Sequence, residues 1–162
     1  MSRPRPDCYD KALALLGARA HFRAELERKL ARSGYGAEEI FAALARLAAR
    51  GWLDDDALAR ARAEQLREGQ GLGRRRVAHD LLRRGVAPEA VDAALGPERW
   101  PEELERAREA ARGWRRRGGT DPAALARHLD RKGFSRRAIV AVLEELGHEV
   151  AADAAEEPAP RD

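Results

Sequence analysis

The sequence predicts an all-α protein of three tandem three-helix, helix-turn-helix-like repeats, strung into an elongated, curved array. Three observations predict it. First, aromatic residues make up only 5% of a chain that is 44% hydrophobic. The core must therefore be built from aliphatic residues, among which Ala and Leu are strong helix formers. Second, no segment alternates apolar and polar residues over the length of a strand. Third, one pattern occurs three times. "KLARSGYGAEEIFAAL", "LLRRGVAPEAVDAAL" and "LDRKGFSRRAIVAVL" superpose without a gap on Gly34, Gly85 and Gly133, at offsets of 51 and 99 residues. Self-similarity of that kind marks a stacked-repeat architecture.

Each aligned column has a physical reading. Leu26, Val77 and Leu125 align, and so do Leu30, Leu81 and Leu129; residues four apart share one face of a helix. The glycine sits where a helix closes in the left-handed conformation, which costs a residue with a Cβ about 1 kcal/mol or more. Tyr35, Val86 and Phe134 then pack back under the turn. Ile40, Val91 and Ile139, followed by Leu44, Leu95 and Leu143, form the apolar stripe of a second helix. Its start is marked by Gly36, Pro88 and Ser135, a cap, a first-turn proline and a cap. The first helix of each pair starts at Phe22, Gly73 and Asp121; Asp121 before Pro122 is the strongest of these signals and Phe22 the weakest.

A further helix precedes each pair. It spans roughly Tyr9 to Leu16 in the first copy and follows the capping carboxylates of Asp54 to Asp56 in the second. In the third it spans roughly Pro101 to Arg117, anchored by Trp100 and Trp114. The expected organisation is a flexible N-terminus over 1–6, repeats over 7–52, 53–97 and 98–150, and a disordered acidic tail over 151–162. Units of about 45 residues bury too little to stand alone, so neighbours should stack.

The formal net charge is +3, and the tail carries Asp153, Glu156, Glu157 and Asp162 against Arg161, so the residues before it carry +6. A basic body suits a polyanion or an acidic protein surface. Lysine occurs only at Lys11, Lys29 and Lys132; an arginine bias of this kind follows genome base composition too, so arginine position says more than arginine number. Cys8 is the only cysteine, which excludes an intramolecular disulfide. No apolar run approaches the ~18 residues of a membrane span, and "MSRPRPD" lacks the apolar segment of a signal peptide. A cytoplasmic monomer without membrane contact is expected. His21, His79, His128 and His148 are scattered, with no partner at ligand spacing. Neither a nucleophile elbow nor an HExxH pattern is present. No catalytic residue, metal or cofactor is expected.

Two basic features are candidates for partner binding. In "GQGLGRRR", Gly69, Gly71 and Gly73 precede a helix opened by Arg74, Arg75 and Arg76. Helix N-termini hold phosphates, but the Walker lysine pattern and a preceding strand are missing, so a flexible inter-repeat loop ending in a glycine cap is the plainer reading. The arginines oppose the helix dipole there, which points to a partner. The second feature is a column two residues before each glycine, Arg32, Arg83 and Arg131, with Ser33, Arg84 and Lys132 beside it. Cations in a last turn offset the C-terminal dipole by about 0.3–1 kcal/mol each. The functional alternative is a periodic row suited to a filament or a nucleic-acid backbone, extended by Arg136, Arg137 and Arg115 to Arg117. Base-specific reading by the second helices is disfavoured, because "AEEIFAAL" and "PEAVDAAL" lead with acidic residues.

The stretch "AEEIFAALARLAARGWLDDDALARARAEQLREGQGLGRRRVAHDLLRRGVAPEAVDAAL" resembles the RecX regulatory proteins. The resemblance rests on Leu47, Gly51, Trp52, Leu53, Asp54, Asp55, Gly71, Gly73, Leu81 and Gly85, and extends from Tyr9 to Leu146. Phe22 departs from the pattern, standing where a capping Ser or Thr is usual. The resemblance implies three tandem three-helix repeats that bind the RecA protein along its filament on DNA. It further implies inhibition of RecA's ATPase, strand-exchange and co-protease activities, and so modulation of recombinational repair and the SOS response, with no cofactor. Two other functions stay open: nonspecific nucleic-acid binding, including weak binding to naked DNA, and a helical adaptor for another protein.

Overall fold

The computed structural model describes residues 5–156, with side chains through His148. Among these residues there is no strand, and nine α-helices follow one another. They are α1 (Cys8–Ala18), α2 (Arg23–Arg32), α3 (Ala37–Ala49), α4 (Asp55–Glu64), α5 (Arg74–Arg84), α6 (Pro88–Leu95), α7 (Trp100–Arg116), α8 (Pro122–Lys132) and α9 (Arg136–Glu156). A π-helical turn, Gln65–Gly69, continues α4.

The three-helix repeats are present, and the aligned columns are its buried columns. Leu26, Val77 and Leu125 are buried, as are Leu30, Leu81 and Leu129, then Tyr35, Val86 and Phe134, then Ile40, Val91 and Ile139. Leu44 and Leu95 complete the pattern; Leu143 is only half-buried. The turn is the same each time. Gly34, Gly85 and Gly133 have φ of 85°, 92° and 88°. The apolar residue after each donates its N–H back to the buried leucine: Tyr35 to Leu30, Val86 to Leu81 and Phe134 to Leu129, all at 3.2 Å. This is the doubly bonded glycine cap, in which otherwise orphaned carbonyls find donors.

Helix starts follow their caps. Asp121 accepts from Ala123 and Ala124, with Pro122 in the first turn of α8. Asp54 accepts from Ala57 at 2.8 Å. Ser135 Oγ accepts from Ala138 at 3.2 Å. Phe22 does open α2, yet its ring is buried and has no capping atom. The missing oxygen comes from elsewhere: Asp55 Oδ1 accepts from the Arg23 N–H at 2.9 Å.

Two segments correct the sequence reading of flexible ends. Arg5 and Pro6 are tied down, with the Arg5 guanidinium 3.5 Å above the Tyr35 ring and the Tyr35 hydroxyl donating to Pro6 O at 2.7 Å. At the other end α9 runs past Ala151 to Glu156, because Ala and Glu favour helix. Residues 1–4 of the expected flexible N-terminus and 157–162 of the expected disordered tail lie outside the described residues.

The chain divides into two compact units, Met1–Gln65 with Ala78–Gly96, and Leu66–Val77 with Pro97–Asp162. In the first, α1, α2 and α3 enclose a core of Tyr9, Leu26, Leu30, Ile40, Leu44 and Leu47. In the second, α7, α8 and α9 enclose Leu125, Leu129, Phe134, Ile139 and Val142. Trp100 and Trp114 pack against that core as expected.

Candidate partner-binding surface

The predicted basic residues fall into two groups. In the second unit, the C-terminal end of α8 meets the N-terminal turn of α5. Gly73 N donates to Lys132 O at 2.8 Å, and Arg75 N donates to Gly133 O at 3.2 Å. The approach is close enough that a Cβ on Gly73 would strike the Gly133 carbonyl, and a Cβ on Gly133 would strike the backbone of Arg76. Carbonyls of α8 thus occupy the amides a phosphate would need. They also offset the N-terminal dipole that Arg74, Arg75 and Arg76 oppose.

The same joint removes the expected flexibility of "GQGLGRRR". Lys132 Nζ donates to Gln70 O at 2.7 Å, and Leu72 N donates to Leu66 O at 3.2 Å. Burial and then Arg117 hold the Lys132 ammonium below its ordinary pKa. Burial, Lys132, Arg117 and Arg131 do the same to His128. Burial is the larger cause for both groups, and the nearby Arg117, with Lys132 and Arg131 beside His128, adds positive charge to it. Arg75 pairs with Asp130 at 2.8 Å, both well exposed. Arg74 is half-buried and engaged within the fold. Arg76 and Arg136 are exposed, and the Arg137 guanidinium lies 3.8 Å over the Trp100 ring.

In the first unit, Arg84 is half-buried and bridges two carboxylates. Its Nη1 donates to Glu25 Oε1 at 2.8 Å and its Nε to Asp80 Oδ2 at 2.9 Å. Asp80 also accepts from Arg62 at 3.1 Å, and Glu25 accepts from the Phe22 N–H at 3.4 Å. Burial pushes the Glu25 carboxyl up, but Phe22 N–H, Arg19, Arg84 and His21 outweigh it and hold it below the ordinary value. Asp80 behaves likewise, with Arg62 and Arg84 outweighing burial. A Cβ on Gly85 would strike Ala24. Ala24 and Arg75 are equivalent under the 51-residue offset. One joint therefore recurs: the glycine turn of a later repeat seats on the first turn of the preceding repeat's second helix.

The two basic columns separate by role. Ser33, Arg84 and Lys132, next to the glycine, all bond inside the fold. One residue earlier, Arg32, Arg83 and Arg131 are exposed, and among the described residues their side chains make no hydrogen bond or ion pair. Sequence reasoning missed Glu25 and Arg62, which lie far from Arg84 along the chain, and Asp80, one helical turn before it. It also missed Phe41, 73% exposed, and its repeat equivalent Val140, 43% exposed. Extending the aligned columns one residue beyond Ile40 and Ile139 would have found this pair. Among the described residues no group of three or more His, Cys, Asp or Glu side chains is placed to hold a metal, and no helix is long and apolar enough to cross a membrane.

Family models describing the first and second three-helix domains of RecX match residues 8–47 and 54–95. The regulatory protein RecX of Leptothrix cholodnii is 39% identical over 155 residues, covering 91% of this chain and 94% of the relative. That of Trichlorobacter lovleyi is 40% identical over 134 residues, covering 81% and 86%. The crystal structure of RecX from Lactobacillus salivarius superposes with a TM-score of 0.74 at 20% identity, over 86% of this chain and 94% of that one. Repeat pattern, glycine joints, fold and relatives agree, and the chain belongs to the RecX family of regulatory proteins.

Proposed function

We propose that this chain is a non-enzymatic regulator that binds the RecA recombinase on its DNA filament. It lowers RecA's ATPase, strand-exchange and co-protease activities, and so modulates recombinational repair and the SOS response. Family membership supports the choice of partner. The observation that carries the binding mode is the unpaired arginine column, Arg32, Arg83 and Arg131, one per repeat over 7–52, 53–97 and 98–150. An unpaired guanidinium at a regular place is available to a carboxylate or phosphate without breaking the fold. Arg76 and Arg136 extend this surface, whereas Arg74, Arg75, Arg84, Lys132 and Arg137 are already engaged with other groups of the fold.

The test is RecA's DNA-dependent ATPase with and without the chain, alongside co-sedimentation with RecA–DNA filaments. The expected result is slowed hydrolysis and recovery of the chain with the filament. Full-rate hydrolysis together with no co-sedimentation overturns the proposal. A second reading, nonspecific nucleic-acid binding, is favoured by the exposed Arg76, Arg131 and Arg136. Under that reading binding to naked DNA falls steeply with salt and RecA adds nothing.

A further inference from the structure

The joint between repeats has two halves, a glycine turn and the first turn of a helix, and it is made twice within the chain. The Gly85 turn meets Ala24 in the first turn of α2, and the Gly133 turn meets Arg76 in the first turn of α5. Each joint also brings a donor to the carbonyl just before the glycine. In one, Arg28 Nη2 donates to Arg84 O at 3.2 Å. In the other, where His79 stands in place of Arg28, the donors are main-chain: Gly73 N to Lys132 O at 2.8 Å, and Arg75 N to Gly133 O at 3.2 Å. The series leaves one half of each kind without a mate, the Gly34 turn and the first turn of α8.

Both leftover halves have the features of the mated ones. Ser33 and Gly34 are exposed, and among the described residues neither carbonyl accepts a hydrogen bond. On α8, Ala123 stands where α2 has Ala24, and Arg127 where α2 has Arg28; both are exposed. Each half is closed from within the chain. Arg5 Nη1 lies 3.6 Å from the place of a Cβ on Gly34, where Ala24 and Arg76 stand at the other two glycines. Asp121 takes both kinds of donor that the internal joints use. It accepts from Ala123 N and Ala124 N at 3.0 Å each, and Arg127 Nη2 lies 3.5 Å from its Oδ2. We infer that the Gly34 turn and the first turn of α8 are complementary surfaces for a second copy of this chain, and that Arg5 and Asp121 keep them closed. The occupant follows from the internal joints, in which each half is already mated to the equivalent of the other. A contact between two different patches of identical molecules propagates instead of closing on itself, and stacked repeats need covered ends to stay soluble. The inference is independent of the RecA reading.

The experiment opens one end at a time in the full chain. Arg5→Ala uncovers the Gly34 turn. Asp121→Gly releases Arg127 and the first-turn amides of α8, and glycine is an acceptable cap there, as Gly73 is for α5. Sedimentation velocity measures each variant alone and in a 1:1 mixture, with circular dichroism and urea unfolding to check folding. Asp121→Ser, which keeps a cap oxygen but no charge for Arg127, replaces Asp121→Gly should that chain not fold. Each variant alone should sediment as a monomer, and the mixture should form a 1:1 complex of twice the mass. Adding Gly34→Ala to the Arg5→Ala chain should return the mixture to monomers, because the Cβ then stands in the joint, as it would on Gly85 against Ala24. A mixture that stays monomeric overturns the inference, and so does a complex that survives Gly34→Ala. Association of either variant by itself shows the opposite end to be open and overturns the closure assigned to Arg5 or Asp121.

Discussion

At the scale of single residues, position in the joint decides what a glycine is worth. Gly34 and Gly133 share the left-handed conformation, with φ of 85° and 88°. A Cβ on Gly34 meets only the Arg5 guanidinium at 3.6 Å, the movable end of a long side chain. A Cβ on Gly133 strikes the Arg76 backbone, which cannot move without breaking the α5–α8 joint. Gly34→Ala should therefore cost about 1 kcal/mol, and Gly133→Ala roughly 1–3 kcal/mol more for the forced overlap. Urea unfolding checks both, and equal losses would reject the joint. His21 is a second such residue. It is 3% exposed, with Nδ1 3.3 Å from Glu25. Burial, Arg19 and Lys29 hold its pKa below the ordinary 6.5 despite that carboxylate. The unfolded chain then binds the imidazole proton more readily than the folded one. The associated stability is present above 6.5 and is lost as pH falls toward the folded value. Thermal midpoints measured from pH 7.5 to 5 should decline, and His21→Gln should flatten that decline.

At the scale of helices, the question is where each end finds its hydrogen-bond partners. α2 starts at Phe22, which spends its side chain on the core and leaves the cap to Asp55, a residue of α4. The adjacent Asp54 caps its own helix. Asp55→Ala should cost about 0.5–2 kcal/mol, as loss of an N-cap does, although nothing in the local sequence of α2 changes. Phe22→Ser should not compensate: it restores a local cap but vacates a buried ring, a loss of about 3–5 kcal/mol. Thermal unfolding of the two variants gives the comparison, and a Phe22→Ser chain as stable as the parent would contradict this account. The pair also shows how far the sequence is legible. Burial periodicity and the left-handed glycine are local, so helices, turns and core columns could be read without a structure. The cap from Asp55 spans 32 residues and the Arg84–Glu25 bridge spans 59. Such bonds leave no periodic trace, so Arg84 and Lys132 looked as free as Arg32 and Arg131.

At the scale of the whole molecule, the excess positive charge is divided between two tasks, and the division follows helix geometry. Residues one position apart on a helix point about 100° apart. In the second and third repeats, therefore, only one of the two last-turn side chains can face the neighbouring repeat. Arg84 and Lys132 face inward and hold carboxylates or carbonyls. Arg83 and Arg131 are turned to solvent. The neighbours Arg83 and Arg84 make this testable, because replacing either removes the same charge from the same helix. Arg84→Ala takes one partner each from Glu25 and Asp80, whose side chains are only 14% and 27% exposed, and leaves them to Phe22 N–H and Arg62. The loss should be about 1–3 kcal/mol, below that of a fully buried pair because water reaches this one. Arg83→Ala breaks no bond within the fold and should stay within about 0.5 kcal/mol of the parent. The order should invert in function: at a temperature where both variants are folded, Arg83→Ala should weaken RecA inhibition more than Arg84→Ala, most clearly at low salt, where exposed charges count most. Urea unfolding and RecA ATPase measured on the same two preparations decide it. Matched losses in both assays would mean that the two columns share one role.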